Sequence, residues 1–173
     1  MKLFMFYVGG NAGKSNIEVH DIQFVAAEKP IDAWPALRDA WFGDKDKVHI
    51  DGYTEITWVD GFDISLSLSN KTSNNNNKLY FVNVGGYHPS SLAELHEFDL
   101  FVAQSANEAK EKAITTLLVD SQQQHKDNLK DVDDCILLSK IGDYYIHLIP
   151  NNSGEHFKPL WQGYQPIGIE KSQ

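Results

Sequence analysis

Cysteine is nearly absent from this chain of 173 residues, which contains only Cys135. A single thiol excludes a disulfide framework within the chain and any cysteine-rich zinc cluster. This cysteine lies in the apolar run CILLSKI, with no basic neighbour that would lower its pKa. We therefore expect a buried, unreactive strand residue there, and a cytoplasmic location for the chain.

Basic residues are also scarce, since 15 lysines and arginines stand against 24 aspartates and glutamates, for a formal net charge of −9. A protein that binds the phosphate backbone needs clustered lysine and arginine, so nucleic acid is not an expected partner.

Long apolar runs are missing as well. The opening MKLFMFYVGG holds an apolar run of six residues, which is too short for the core of a signal peptide or for a membrane span. We expect this segment to form a first strand, and we expect no membrane partner.

An internal repeat is the main feature that is present. The pair Gly9-Gly10 returns as Gly85-Gly86, an offset of 76 residues. The same offset pairs Lys2 with Lys78, Glu18 with Glu94, His20 with His96, and His49 with His125. We divide the chain into a first repeat (1–69), an Asn-rich linker (70–77), a second repeat (78–150) and a C-terminal extension (151–173). Units this small seldom bury enough apolar surface alone, so we expect the repeats to share one core.

Each repeat is predicted to be a β-β-α-β-β unit. In the first repeat KLFMFYV, IEVHDIQFVA, YTEITWV and FDISLSL are typical of strands, while PIDAWPALRDAWFG has apolar residues at helical spacing. We place Asp32 at the start of this helix, Gly43 after its end, and a two-residue turn at Asp60-Gly61. The fold class is α+β, a tandem duplication with antiparallel sheets and helices on one face.

In the second repeat, Ser105 and Glu108 form an S-x-x-E capping box at the start of a helix. The C-terminal extension is rich in proline and glycine but carries apolar residues such as Phe157 and Trp161. We therefore expect it to dock on the body of the protein.

Three segments carry a resemblance to a known family: the GG pair, NIEVHDIQF, and the tryptophan-rich helix that ends in WFG. Together they resemble the bacterial family DUF1543, a domain of unknown function whose members often contain the unit twice. The resemblance implies the repeat but no activity, cofactor or site.

The segment GGNAGKS has Lys14 and Ser15 in the order of a phosphate-binding P-loop. The motif also needs a glycine where Val8 stands, and a helix that begins at the lysine, whereas strand-like residues follow. Nucleotide binding by this loop is therefore not expected.

A more convincing site follows from strand parity. Glu18 and His20 share the apolar face of the second strand, and the loop after the helix returns to the same end with His49 and Asp51. The two-residue turn also places Glu55 opposite Leu66, on the apolar face. The candidates for catalysis are Glu18, His20, His49, Asp51, Glu55, Glu94 and His96. The candidates for ligand binding are Gly9, Gly10, Gly85, Gly86, His125 and Asp127.

Neutral imidazole near carboxylates suits general acid-base chemistry, but such groups also serve as ordinary hydrogen-bond partners inside a fold. No metal site is assigned, because Glu-x-His supplies two ligands and no further motif supplies the rest. The leading hypothesis is a small-molecule-binding protein, with catalysis left open and no cofactor assigned. The alternative is a noncatalytic interaction module that binds a protein partner or forms a homo-oligomer.

Overall fold

The structure is a computed structural model that describes residues 1–70, 76–119 and 130–169. The elements of the first repeat are β1 (Lys2–Gly10), β2 (Val19–Ala27), a 3₁₀ helix (Pro30–Ala33), α1 (Trp34–Ala40), β3 (His49–Glu55), β4 (Trp58–Val59) and β5 (Phe62–Ser67). Those of the second repeat are β6 (Lys78–Gly86), β7 (Leu95–Ala103), α2 (Ala106–Thr116), β8 (Lys130–Leu138), β9 (Lys140–Ile141) and β10 (Tyr144–Pro150). The strand β11 (Trp161–Pro166) follows in the C-terminal segment.

The strands form three antiparallel sheets, with the orders β11-β3-β1-β2, β7-β6-β8 and β4-β5-β10-β9. The last sheet joins the two repeats, because β5 of the first pairs with β10 of the second from Phe62 to Ser67. The predicted α+β class with antiparallel sheets is confirmed.

The core is arranged around β1, whose two faces are both buried. Leu3 and Met5 belong to a central cluster that also contains Leu79 and Phe81 of the second repeat. The alternate residues, including Phe6, pack in a second cluster with α1 and with the C-terminal segment. Because side chains alternate along a strand, one short sequence supplies both cores.

The repeat offset changes after the helices. On β1 Gly9 pairs with His49 of β3, whereas on β6 Gly85 pairs with Asp131 of β8. Asp131 therefore takes the place of His49, at an offset of 82 residues instead of 76. The second repeat thus has six more residues than the first between the end of its helix and this position. The predicted equivalence of His49 and His125 is therefore wrong. His125 and Asp127 lie outside the described residues.

The two-residue turn at Asp60-Gly61 is confirmed, since Val59 pairs with Phe62. Both turn residues have positive φ, 48° and 90°, as a tight turn matched to strand twist requires. The position predicted for Glu55 is wrong: Glu55 pairs with Phe4 of β1 instead of lying opposite Leu66. The chain leaves one sheet at residues 56–57 and enters another, so parity counted back from the turn does not reach β3.

The start of the first helical segment also differs from the prediction. Asp32 lies within the 3₁₀ helix, where its carboxylate accepts a hydrogen bond from the Lys29 N–H at 3.1 Å. Gly43 is needed for space and not for a positive φ, because a Cβ there would collide with the carbonyl oxygen of Asn11.

At α2, the hydroxyl of Ser105 accepts a hydrogen bond from the Glu108 N–H at 3.2 Å, as the capping box predicts. The Glu108 carboxylate accepts from the Gln104 N–H at 2.9 Å, one residue earlier than the motif requires.

The C-terminal segment lies along the first repeat, where β11 pairs with β3 and Ile167 N–H donates to the Val48 carbonyl at 3.1 Å. It also reaches the second repeat, since His156 Nε2 is 3.4 Å from Asp99 Oδ2. Within the described ranges, neither helix has the length and apolar character of a membrane-spanning segment.

The shared core generates a prediction for the isolated first repeat. A fragment of residues 1–76 leaves β5 without β10, and Leu3 and Met5 without their partners on β6. We expect it to show no cooperative thermal transition, because burying these side chains provides much of the driving force for folding. Circular dichroism melting of the fragment beside the full chain tests this, and a cooperative transition at the same temperature would contradict it.

A second prediction concerns Cys135 of β8, which pairs with Val82 of β6. The sequence predicted full burial, whereas Cys135 is partly buried. Burial raises the pKa of its thiol, so at a given pH less of it is thiolate than in the unfolded chain. We expect a thiol reagent to label the native protein more slowly than the denatured protein, with a labelling profile displaced to higher pH. Equal rates in the two states would overturn this expectation.

Candidate functional site

The site lies where β1 ends. Gly9 pairs with His20 of β2 on one side and with His49 of β3 on the other. A Cβ on Gly9 would lie 2.7 Å from His49 Nε2, 2.8 Å from Asp51 Oδ2 and 2.9 Å from His20 Cδ2. Glycine is therefore the residue that allows these side chains to converge over the strand.

Four of the predicted side chains meet there, and we call them the His-carboxylate cluster: Glu18, His20, His49 and Asp51. His49 Nε2 is 2.9 Å from Glu18 Oε1 and 3.3 Å from Asp51 Oδ1. His20 Nε2 is 3.2 Å from Asp51 Oδ2 and 3.7 Å from Glu18 Oε2. Each imidazole thus faces both carboxylates.

A β-bulge supplies Asp51 to the cluster. Val8 pairs with Ile50, and Tyr7 pairs with Gly52, so Asp51 is an extra residue with no direct partner on β1. Bulges interrupt the ladder and redirect a side chain, and they are common beside functional sites. Here the bulge lets one carboxylate contact both imidazoles.

The cluster is closed on one side and open on the other. His49 is 2% exposed, whereas the side chains of His20 and Glu18 are 34% and 44% exposed. His49 Nδ1 lies 3.2 Å from the Lys47 carbonyl, which can only accept, so this ring nitrogen carries the hydrogen. Within the described part of the chain, His49 Nε2 and Asp51 Oδ2 are buried and have no hydrogen-bond partner.

Two tyrosines that sequence reasoning missed frame the imidazoles. The Tyr7 ring stacks on His20 with 4.9 Å between ring centroids and 1° between planes. Tyr164, from the bulged strand β11, lies with its ring centroid 4.4 Å from that of His49. Tyr7 could have been found by parity, because it lies two residues before Gly9 on the same face. No local signal connects Tyr164 with the cluster.

Burial raises the pKa of Tyr7, and the nearby carboxylates of Asp51 and Glu18 raise it further. The phenol therefore keeps its proton at neutral pH, so that it can donate a hydrogen bond at the edge of the cluster.

The second repeat has only part of this arrangement. Gly85 pairs with His96, and His96 Nε2 is 3.8 Å from Glu94 Oε2. Asn83 takes the position of Tyr7, and its Nδ2 is 3.5 Å from His96 Nδ1. Asp131 occupies the strand position that His49 has in the first repeat. At the described positions the duplication therefore preserves Glu-x-His but not the histidine that β3 brings to the cluster.

The other candidates have different roles or positions. Glu55 lies at the opposite end of β1, where its carboxylate accepts a hydrogen bond from Lys2 Nζ at 2.8 Å. Gly10 gives space to its surroundings, since a Cβ there would lie 3.0 Å from the Lys47 carbonyl oxygen. Gly86 ends β6 between Leu95 and Lys130.

Two clefts adjoin the cluster. The larger, of about 460 Å³, lies between the repeats and contains His20 and His96. The smaller, of about 290 Å³, contains Asp51 and residues of the C-terminal segment. Tyr7, Ile22 and Phe98 line both clefts. The other residues of the larger cleft are Asp21, Phe81, Asn83 and Asp134.

The contact over Gly9 generates a prediction. Replacing Gly9 with Ala inserts a methyl group against His49 and Asp51, so we expect a loss of about 1–3 kcal/mol in the free energy of unfolding, as for other overpacked sites. Gly52→Ala is the matched control on β3, because its Cβ would meet nothing closer than 3.3 Å. Urea unfolding measures both, and a Gly9→Ala protein as stable as the wild type would contradict the proposed steric role.

Comparisons with known proteins agree with this architecture. The crystal structure of a protein Il1583 from Idiomarina loihiensis is similar, with a TM-score of 0.76 and 33% sequence identity over 98% of this chain and 99% of that chain. A search of curated proteins gave no significant match. The model of the family described as Domain of Unknown Function (DUF1543) matches residues 15–66 and 91–148, more than half of the sequence. The chain therefore belongs to the DUF1543 family and contains its unit twice.

Proposed function

We propose that the chain binds a small molecule in the cleft between the two repeats. The observation that carries the proposal is that one concave space of about 460 Å³ contains an imidazole from each repeat, His20 and His96. Ligand pockets are commonly clefts of about 300–1,000 Å³, and the lining of this one combines polar side chains with aromatic ones. The two imidazoles would orient the ligand by hydrogen bonds.

The walls of the cleft suggest the class of ligand. Tyr7, Phe81 and Phe98 supply aromatic surface, against which a flat, unsaturated ring could pack. Asp21 and Asp134 are the carboxylates of the lining, and no lysine or arginine is among its described residues. A neutral or cationic ligand therefore fits better than a phosphate or a carboxylate, which basic groups usually bind.

The position of His20 favours this cleft over the smaller one. Its ring is held by the stacked Tyr7 and by the Asp51 carboxylate at 3.2 Å. An imidazole that is fixed by its neighbours loses little conformational entropy when a ligand binds. His96 lies across the same cleft and comes from the equivalent strand position.

A second candidate function is self-association through β8. This strand is at the edge of its sheet within the described residues, and its Ile136 and Leu137 are 47% and 45% exposed. Exposed apolar edge strands pair readily with another chain. Loss of both imidazoles would leave this association intact, whereas it would weaken ligand binding in the cleft.

The double variant His20→Gln with His96→Gln tests the proposal. We expect it to keep a melting temperature within a few degrees of the wild type, because both side chains are partly exposed and Gln preserves some hydrogen bonding. It should lose the thermal shifts that neutral and cationic metabolites produce in the wild type. Thermal-shift screening of both proteins in a buffer that contains a chelator provides the measurement.

The control is His147→Gln, which removes an imidazole bonded to Ser67 and Ser69 outside the cleft lining. This variant should retain every ligand-dependent shift. If the double variant keeps the same shifts as the wild type while losing about 1–3 kcal/mol of stability, the two histidines are structural and the proposal fails.

A further inference from the structure

We propose that Glu18, His20, His49 and Asp51 bind one divalent transition-metal ion. The sequence assigned no metal site, because Glu-x-His offers two ligands and no further metal-binding motif supplies the rest. The fold shows that His49 and Asp51 of β3 come within contact distance of that pair. The site shares His20 with the small-molecule cleft, but metal binding does not require a ligand in that cleft, since the ion would lie in the cluster beside it.

The first argument is the state of His49. Its Nδ1 lies 3.2 Å from the Lys47 carbonyl oxygen, which occupies that nitrogen, so Nε2 is the ring nitrogen that faces the cluster; in the tautomer with its hydrogen on Nδ1, Nε2 presents a lone pair. That lone pair lies 2.9 Å from a Glu18 oxygen and 3.3 Å from an Asp51 oxygen. Carboxylates also only accept, so the atoms repel one another unless a cation or an added proton lies between them.

The second argument is that two buried atoms of the cluster make no hydrogen bond to any described residue, although their ionisable neighbours lie at 2.9 and 3.2 Å. His49 is 2% exposed, and neither its Nε2 nor the Oδ2 of Asp51 has a hydrogen-bond partner within the described ranges. Buried polar atoms are normally satisfied, because an unsatisfied one costs about 1–3 kcal/mol. A bound ion would satisfy both atoms at once.

The third argument is spacing. The nitrogen-to-oxygen distances in the cluster are 2.9, 3.2, 3.3 and 3.7 Å. A tetrahedral ion with bonds of about 2.0–2.2 Å needs ligand atoms roughly 3.3–3.6 Å apart. As they are placed in the structure, no group of three such side chains in the described part of the chain has the geometry to hold a metal ion. Binding must therefore include a small rotation, for which the half-exposed Glu18 and His20 have room.

The fourth argument is chemical type and charge. Two imidazoles with two carboxylates suit zinc and neighbouring first-row metals, whereas magnesium and calcium prefer oxygen ligands alone. The two negative charges of Glu18 and Asp51 match an ion of charge +2. The Lys47 carbonyl on His49 Nδ1 is the kind of outer contact that fixes a metal-binding imidazole.

The second repeat supplies an internal control. Its Glu94 and His96 are 3.8 Å apart, and the side chain of His96 is half exposed. The strand position of His49 is occupied by Asp131. That strand position therefore supplies no imidazole, and we expect one ion per chain instead of two.

The test uses the full chain after treatment with a chelator that is then removed. We expect Co²⁺ to bind with a stoichiometry of one and to give the visible absorption of a low-coordinate site, and Zn²⁺ to displace it. Magnesium should not compete. Glu18→Gln and His49→Gln should each weaken Co²⁺ binding by more than about 100-fold, since loss of an outer contact alone costs about 10–100-fold.

The matched control is the double variant Glu94→Gln with His96→Gln, which should bind Co²⁺ as the wild type does. Because His49 is buried, melting curves must first establish that His49→Gln folds. If His49→Gln does not fold, the test rests on Glu18→Gln, since the side chain of Glu18 is exposed. Two results would overturn the proposal. One is the absence of stoichiometric Co²⁺ or Zn²⁺ binding to the wild type. The other is binding that Glu18→Gln does not change.

Discussion

The burial of both faces of β1 is the constraint on which the rest of the structure depends. Leu3 and Met5 contact the second repeat through the central cluster, and Phe6 packs on the helical side. A strand held in this way cannot twist or slide without exposing one core. The backbone at the end of β1, from Gly9, is therefore held in place, and the side chains of the cluster pack directly over it.

The cluster above Gly9 contains one buried imidazole, His49, and two side chains that are partly exposed, Glu18 and His20. His49 is buried between the Lys47 carbonyl and the ring of Tyr164, whereas Glu18 and His20 border solvent and the larger cleft. Buried groups of this kind are preorganised, and exposed ones can respond to a ligand. The same small region is therefore closed at His49 and open to the cleft at His20.

The duplication has kept the scaffold and changed the chemistry. The Gly-to-His pairing is the same in both repeats, but Asn83 stands in place of Tyr7, and six extra residues precede β8. The repeats therefore contribute unequally to the cleft: the first brings a cluster, and the second brings His96 and aromatic surface. The space between the two similar units is therefore lined by different residues on its two sides.

The sequence by itself determined the features that depend on local pattern. Alternation along the strands gave the α+β class, the turn at Asp60-Gly61 gave the pairing of Val59 with Phe62, and parity placed Glu18 and His20 on one face. Chain direction then brought His49 and Asp51 to the same end. Each of these follows from residues close in sequence or from the obligatory return of the chain across a sheet.

Only the tertiary structure decided the features that depend on distant partners. The change of sheet after Glu55, the pairing of β5 with β10, and the approach of Tyr164 to His49 each join segments that no periodicity relates. The offset of 76 residues predicts His125 at the position of His49, but Asp131 is the residue that pairs with Gly85. The pairing of β8 with β6 decides this register, and a constant offset along the sequence does not. Whether a strand is stable beside a given partner depends on the side chains that pack against both of them, so the sequence of one strand does not determine its partner.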